Sequence, residues 1–174
     1  MKLAITGHTG TIGSIIYNHF PGSLGFSRTN AYDVRTNADA IVRFARDCDV
    51  FVNCAHAGPG FAQTKLFGMM YNLWKWDSSK TIINIGSDGI YVPPTPNGRA
   101  DGAYKELFKT VRDGYAAEKA ALLSAVQIAQ VEPHDCKVSI VNPNVLSCDM
   151  KEDLPGVIEF IINSKSEIMS INLQ

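Results

Sequence analysis

The chain has no apolar run long enough to serve as a secretory leader or to span a bilayer; the first, Leu3 to Thr6, is stopped by Gly7. Export is not expected, and the cytoplasm is the expected compartment. An excess of either charge is also missing. Sixteen Lys plus Arg stand against 17 Asp plus Glu, a net charge of -1, without the basic surplus that phosphate backbones and anionic lipid surfaces select. Neither a nucleic acid nor a membrane is expected as a partner. Cysteine is scarce: Cys48, Cys54, Cys136 and Cys148 include no C-x-x-C pair, so no bound metal or redox dithiol is expected. Thiols beside apolar runs read instead as small buried hydrophobes in a reducing compartment. Internal repeats and low-complexity tracts are absent, and the tail reads as the natural end of a domain.

What is present is enough for a core. The 174 residues are 45% apolar and 19% charged, which fits one domain, residues 1–174, that folds on its own. Short apolar runs alternate with stretches of helical period, the rhythm of βαβ units around a parallel sheet. Strands are expected at Leu3 to Thr6, Leu24 to Ser27, Tyr32 to Val34, Val50 to Asn53, Thr81 to Ile85, Lys137 to Val141 and within Glu167 to Leu173. Helices are expected after Gly10, over 37–46, 61–76, 107–131 and 154–163. The expected fold is therefore α/β, a doubly wound Rossmann fold whose seven-stranded, mainly parallel sheet carries helices on both faces. Between the fifth strand and the long helix, Pro93, Pro94, Pro96, Asn97 and Gly98 exclude regular structure, and residues 91–104 read as a functional lid.

Two patterns carry chemistry. Thr6-Gly7-His8-Thr9-Gly10-Thr11-Ile12-Gly13 places glycines at three-residue intervals between the first strand and the first helix. Without Cβ atoms the turn lets backbone approach a diphosphate, at which the helix aims free N–H groups and its positive dipole end. No Lys-Ser or Lys-Thr follows, so a triphosphate P-loop fits poorly. Farther along, Tyr115 and Lys119 stand four apart on one helix face, where the ammonium favours phenolate and brings the phenol toward the range useful for proton transfer. Ser87 follows the end of an apolar strand, on the sheet edge where open α/β proteins place ligands.

In this order the pieces resemble a short-chain dehydrogenase/reductase across nearly the full length: the turn at 6–13, Asp33-Val34, Asn53-Cys54-Ala55-His56-Ala57-Gly58, Ser87, Tyr115 with Lys119, and Asn142-Pro143-Asn144-Val145. The resemblance implies an NAD(P)-dependent enzyme that interconverts a carbonyl and a hydroxyl. Tyr115 would be the general acid/base, Lys119 would hold the nicotinamide ribose and lower the Tyr115 pKa, and Ser87 would hydrogen-bond the reacting carbonyl. Asn72 is the candidate for an asparagine that many members add. Gly7, His8, Thr9, Gly10, Thr11, Ile12 and Gly13 would cradle the diphosphate; Asp33 and Val34 would border the adenine. Asn53 would steady the central strands beside Cys54 and Ala55, His56 would reach the ribose, and Pro143, Asn144 and Val145 would contact the nicotinamide amide.

Branch motifs disagree. The glycine spacing and the gap of 28 from Ser87 to Tyr115 resemble nucleotide-sugar epimerases, dehydratases and 4-ketoreductases, whereas Tyr115-Ala116-Ala117-Glu118-Lys119 resembles compact alcohol and ketone reductases. The substrate is accordingly a small carbonyl compound or a sugar. Ser27-Arg28-Thr29 stands where an NAD site usually presents a carboxylate, and an arginine with two hydroxyls suits a 2′-phosphate. NADP(H) is expected over NAD(H), which remains possible. Only Ser147 to Leu154 separate the sixth strand from the last helix, so the family's usual substrate lid is missing and the pocket is shallow or borrowed. Helices 61–76 and 107–131 resemble those through which relatives pair, and a homodimer or homotetramer is expected. A sugar-nucleotide epimerase or dehydratase, and a non-catalytic NAD(P)-binding regulator, are the alternatives.

Overall fold

The computed structural model describes residues 1–58, 60–87, 114–143 and 150–173. Along the chain the elements are β1 (Leu3–Thr6), α1 (Thr11–His19), β2 (Leu24–Phe26), a 3-10 turn (Arg28–Asn30), α2 (Ala38–Ala45), β3 (Val50–Asn53) and α3 (Ala62–Trp74). There follow β4 (Thr81–Ile85), α4 (Tyr115–Val131), β5 (Lys137–Pro143), α5 (Met150–Asn163) and β6 (Ser170–Leu173). The strands form one sheet in the order β2-β1-β3-β4-β5-β6, and every pairing is parallel.

Strand side chains point alternately to opposite faces, and the core divides accordingly. Ala4, Phe51, Ile82, Val138 and Ile140 face one layer, where α2, α3 and α4 supply Ile41, Leu66, Met70, Trp74, Leu122 and Val126. Leu3, Ile5, Val50, Val52, Ile83, Ile85 and Val141 face the other, closed by Ile16 of α1 and Leu154, Ile158 and Ile161 of α5. Burying each such aliphatic side chain contributes roughly 1.5–3 kcal/mol against the entropy of ordering the chain. Because β1, β3 and β4 are sandwiched between both layers, they are buried at every position, which is why they read as continuous apolar runs rather than alternating ones. α5 begins at Met150, before the expected Leu154, with Glu152 and Asp153 in its first turn, where the helix dipole favours anions.

The sheet has six strands among the described residues, not the expected seven, and the strand expected at Tyr32 to Val34 is the one missing. A parallel neighbour needs a crossover of about a dozen residues or more, and only Ser27 to Ala31 separate Tyr32 from β2. Those residues are taken up by the 3-10 turn, closed by Ala31 in the left-handed region at φ 66° and by the Tyr32 N–H donating to the Ser27 carbonyl at 2.8 Å. The apolar pair that mimics a strand packs sideways: Tyr32 lies edge-on to Phe26 and Phe44, and Val34 is buried.

The order reverses between β1 and β3. The chain leaves β1 toward β2 on one side and leaves β3 toward β4 on the other, opening a crevice at the carboxyl ends of the strands, where such sheets bind ligands. The Pro-rich segment 91–104, positions 107–113 of the expected long helix, and Ser147 lie outside the described residues. No helix among the described residues is long and apolar enough to cross a membrane.

Candidate active site

The glycine turn forms one wall of that crevice. Gly7 has φ +68°, and a Cβ there would stand 2.9 Å from the Ala55 Cα; a Cβ on Gly13 would stand 2.1 Å from the Gly7 carbonyl oxygen. Both positions therefore require glycine, and α1 starts immediately beneath the turn with no side chain capping its end at Gly10. Thr6 ties this wall to the next: its hydroxyl accepts from the Cys54 and Ala55 N–H groups at 3.0 and 3.1 Å. The segment after β3 is thereby pinned alongside the segment after β1.

The crevice has a volume of about 390 Å³ and is lined by Gly7, Thr9 to Gly13, Ser27 to Thr29, Tyr32 to Val34, Cys54 to Ala57, Ile85, Gly86, Tyr115 and Lys119. It thus runs from the 3-10 turn at one end to the start of α4 at the other. At the first end Arg28 is exposed, while the Ser27 hydroxyl meets that of Thr29 at 2.7 Å and the Ser27 N–H donates to Asn30 Oδ1 at 2.8 Å. Asp33 is claimed by Arg35, with Nη2 to Oδ2 at 2.6 Å; the guanidinium hydrogen bonds hold its carboxyl at about 2.

At the other end a buried network surrounds one amine. Lys119 is 3% exposed, and its Nζ donates to Gln63 Oε1 and to the Ile85 carbonyl, each at 2.8 Å. Gln63 Nε2 in turn donates to the Asn53 carbonyl at 2.7 Å and to Ile85 O at 3.0 Å. Asn53 Nδ2 closes the set by donating to Gln63 O and Asn84 Oδ1, both at 3.0 Å. The amine's hydrogen-bond partners are neutral dipoles, so desolvation prevails over the nearby Cys54 and Glu118 and brings its pKa down from 10.5 to about 8. It remains a cation at neutral pH. Its Nζ stands 5.6 Å from the centre of the Tyr115 ring, and the His56 imidazole meets that ring edge-to-face, centroids 4.8 Å apart. Burial raises the Cys54 thiol to about 11, which keeps it protonated and inert.

The structure thus brings together Gly7, Thr9, Gly10, Thr11, Ile12, Gly13, Ser27, Arg28, Thr29, Asp33, Val34, Cys54, Ala55, Tyr115 and Lys119 around one crevice, with Asn53 just beneath it. Ser87, buried at 5% exposure, directly follows the lining residue Gly86. Pro143 ends β5; Asn144 and Val145 lie outside the described residues. Two candidates stand elsewhere. His8 turns its ring against Tyr17, 4.9 Å between centroids, over Gly25, where a Cβ would touch it at 2.5 Å. Asn72 is exposed, nine positions beyond Gln63 and so about 13 Å farther down α3. Gln63 and Glu118 went unnoticed in the sequence. Gln63 carries a readable signal: it sits in the first turn of the helix that leaves the switch point, where a long polar side chain can reach the strand ends.

No protein-family model matches the sequence, and no curated protein matches it. Solved structures do. Serine dehydrogenase from Escherichia coli superposes with a TM-score of 0.68 at 15% identity, over 99% of this chain and 97% of that one. A metagenomic short-chain oxidoreductase in complex with NADP gives 0.68 at 19%, over 100% and 97%. An alcohol dehydrogenase from Thermococcus sibiricus, complexed with 5-hydroxy-NADP, gives 0.67 at 14%, over 99% and 95%. The fold is that of the short-chain dehydrogenases and reductases.

Proposed function

We propose that this protein is an NADP(H)-dependent oxidoreductase that interconverts a carbonyl and a hydroxyl, with Tyr115 as its general acid/base. One observation carries the reading. A desolvated ammonium, that of Lys119, is fixed beside a phenol at the end of the same crevice whose opposite wall is a glycine turn on a helix N-terminus.

The residues fit a dinucleotide. Gly7 and Gly13 leave a cradle that a Cβ would fill, and the backbone of Gly10 to Gly13 would hold the diphosphate at the start of α1. Arg28, with Ser27 and Thr29, would hold a 2′-phosphate; Asp33, neutralised by Arg35, does not oppose that charge. Two structural neighbours were solved with NADP or a derivative of it, which favours the same cofactor here. When bound, the nicotinamide supplies or accepts the hydride.

The chain handles the proton. In reduction, negative charge builds on the carbonyl oxygen, and the Tyr115 phenol gives that oxygen its proton. Lys119 stabilises the phenolate left behind, and the Gln63 and Ile85 oxygens keep Nζ from swinging away. Ser87 would orient the carbonyl by hydrogen bonding. The test is oxidation of NADPH against a panel of ketones, aldehydes and ketosugars. Tyr115→Phe should lower kcat by about 10² to 10⁴-fold while NADPH still binds; turnover that survives this substitution would overturn the mechanism.

A further inference from the structure

At the nucleotide end of the crevice a carboxylate stands among the groups proposed to hold a phosphate dianion. Asp33 lines that end together with Ser27, Arg28 and Thr29. The 3-10 turn folds the chain back to put it there: Ala31 is in the left-handed region, and the Tyr32 N–H donates to the Ser27 carbonyl at 2.8 Å. An uncompensated Asp33 would work against a 2′-phosphate twice. It would repel the dianion, and it would draw off the Arg28 guanidinium, whose charge already acts on it. The fork of Arg35 removes both effects. Its backbone N–H donates to Asp33 Oδ1 at 2.9 Å, Nε lies 3.1 Å from Oδ1 and 3.2 Å from Oδ2, and Nη2 donates to Oδ2 at 2.6 Å. Both carboxylate oxygens are engaged in the planar geometry that suits a guanidinium. The Thr36 and Asn37 N–H groups close the turn on the Asp33 carbonyl at 3.1 and 2.8 Å, so the contact is set locally.

Resting on the proposed reading of Arg28 as a ligand of the 2′-phosphate, we infer that Arg35 determines cofactor choice: by occupying Asp33 it leaves Arg28 free for the phosphate. Arg35 stands outside the lining of the crevice and acts through Asp33 and Arg28, as a positioning residue. Arg28 itself is exposed and, among the described residues, in no ion pair. With Arg35 present, two guanidinium cations stand against one carboxylate, and the surplus charge faces the phosphate. Without it, Asp33 and Arg28 cancel. The 2′-hydroxyl of NAD(H) carries no charge, so that cofactor is indifferent to the change. The Arg35 side chain is 49% exposed, and an ion pair so exposed contributes little to folding; its loss alters the field at the site and leaves the scaffold in place.

The experiment is a fluorescence titration of the full chain with NADPH and with NADH, read as the ratio of the two dissociation constants. Arg35→Gln should lower the preference for NADPH by about fivefold, all of it as weaker NADPH binding. Asp33→Asn added to Arg35→Gln should bring the ratio back to within about 1.5-fold of the unmodified protein, because no carboxylate is left to compete for Arg28. In an Arg28→Ala background, Arg35→Gln should change the ratio by less than about 1.5-fold. An unchanged ratio in Arg35→Gln, an equal loss of both cofactors, or a loss that Asp33→Asn does not restore would overturn the inference. Arg28→Ala alone tests the reading beneath it. If Arg28→Ala weakens NADPH and Arg35→Gln does not, only the role of Arg35 falls; a silent Arg28→Ala removes the phosphate site and the role of Arg35 with it.

Discussion

Two nitrogen bases sit at opposite ends of the sheet, and they are treated in opposite ways. At the carboxyl ends of the strands, Lys119 is buried against neutral oxygens, and desolvation lowers its pKa. At the amino ends, His134 Nδ1 donates to the Glu132 carbonyl at 2.7 Å, and Nε2 meets Glu167 Oε1 at 3.1 Å. Burial alone would lower the His134 pKa, yet the carbonyl and carboxylate more than offset it and the pKa is raised. The Glu167 oxygen also accepts the Val138 N–H at 2.8 Å, so this pair fastens the run-in of β6 to the start of β5. The carbonyl and the carboxylate favour the histidine's charged form, and the same contacts hold the fold together. The lysine keeps its charge at neutral pH against what burial costs, which accords with the role proposed for it above.

The contrast is most sharply tested by deleting the lysine cation. Lys119→Met should lower kcat by at least about 10²-fold, measured as NADPH oxidation, while the protein remains folded by circular dichroism. A variant that keeps its rate would place Lys119 with the structural charges. The same substitution reads out stability. Because the Lys119 pKa falls from 10.5 to about 8 on folding, the folded chain binds fewer protons than the unfolded one between those values. Wild-type stability should therefore rise relative to Lys119→Met as pH climbs from about 8 toward 10.5, by an amount on the order of 3 kcal/mol, measured by urea unfolding at each pH. A difference that stays flat with pH would mean the amine is not desolvated.

A smaller effect is expected at the nucleotide end. Arg28→Ala should weaken NADPH by about tenfold, near 1.4 kcal/mol, and leave NADH unchanged in a fluorescence titration. Equal losses for both cofactors would mean the arginine reads no phosphate. The smallest effect belongs to the amino-end pair. His134→Gln should cost about 1 kcal/mol below pH 6.5, where the raised histidine is charged in both folded and unfolded states and its pairing contributes fully. That cost should fade as pH rises through the folded pKa. Loss that grew with pH instead would reverse the assignment of the two ends.

Much of the scaffold was legible because fully sandwiched parallel strands leave no room for polar residues. Val50–Asn53 and Thr81–Ile85 could be read directly from their apolar runs, and the helices from their spacing. Tyr32 to Val34 misled for a related reason: apolar content marks burial, but the number of residues between runs decides whether a strand can pair. At the site, Tyr115, Lys119 and the glycine turn were visible because their spacing within one element is itself the signal. Gln63, Glu118 and the His56 contact were not, since each depends on three elements meeting. Gln63 and Glu118 read along their helices as ordinary surface polar residues until α3, α4 and the segment after β3 close over them. Asn72 shows the converse, an apt residue type on the right helix but too far along it.

The all-parallel sheet has a consequence for how the chain reaches this state. With no hairpin among the described residues, no two neighbouring strands of this sheet can find each other locally, and β4 has no β5 to lie against until the ribosome has made everything from Thr81 to Lys137. Until then one hydrogen-bonding edge of an apolar strand is uncovered, so assembly should be slow and the nascent chain dependent on holding factors that shield it.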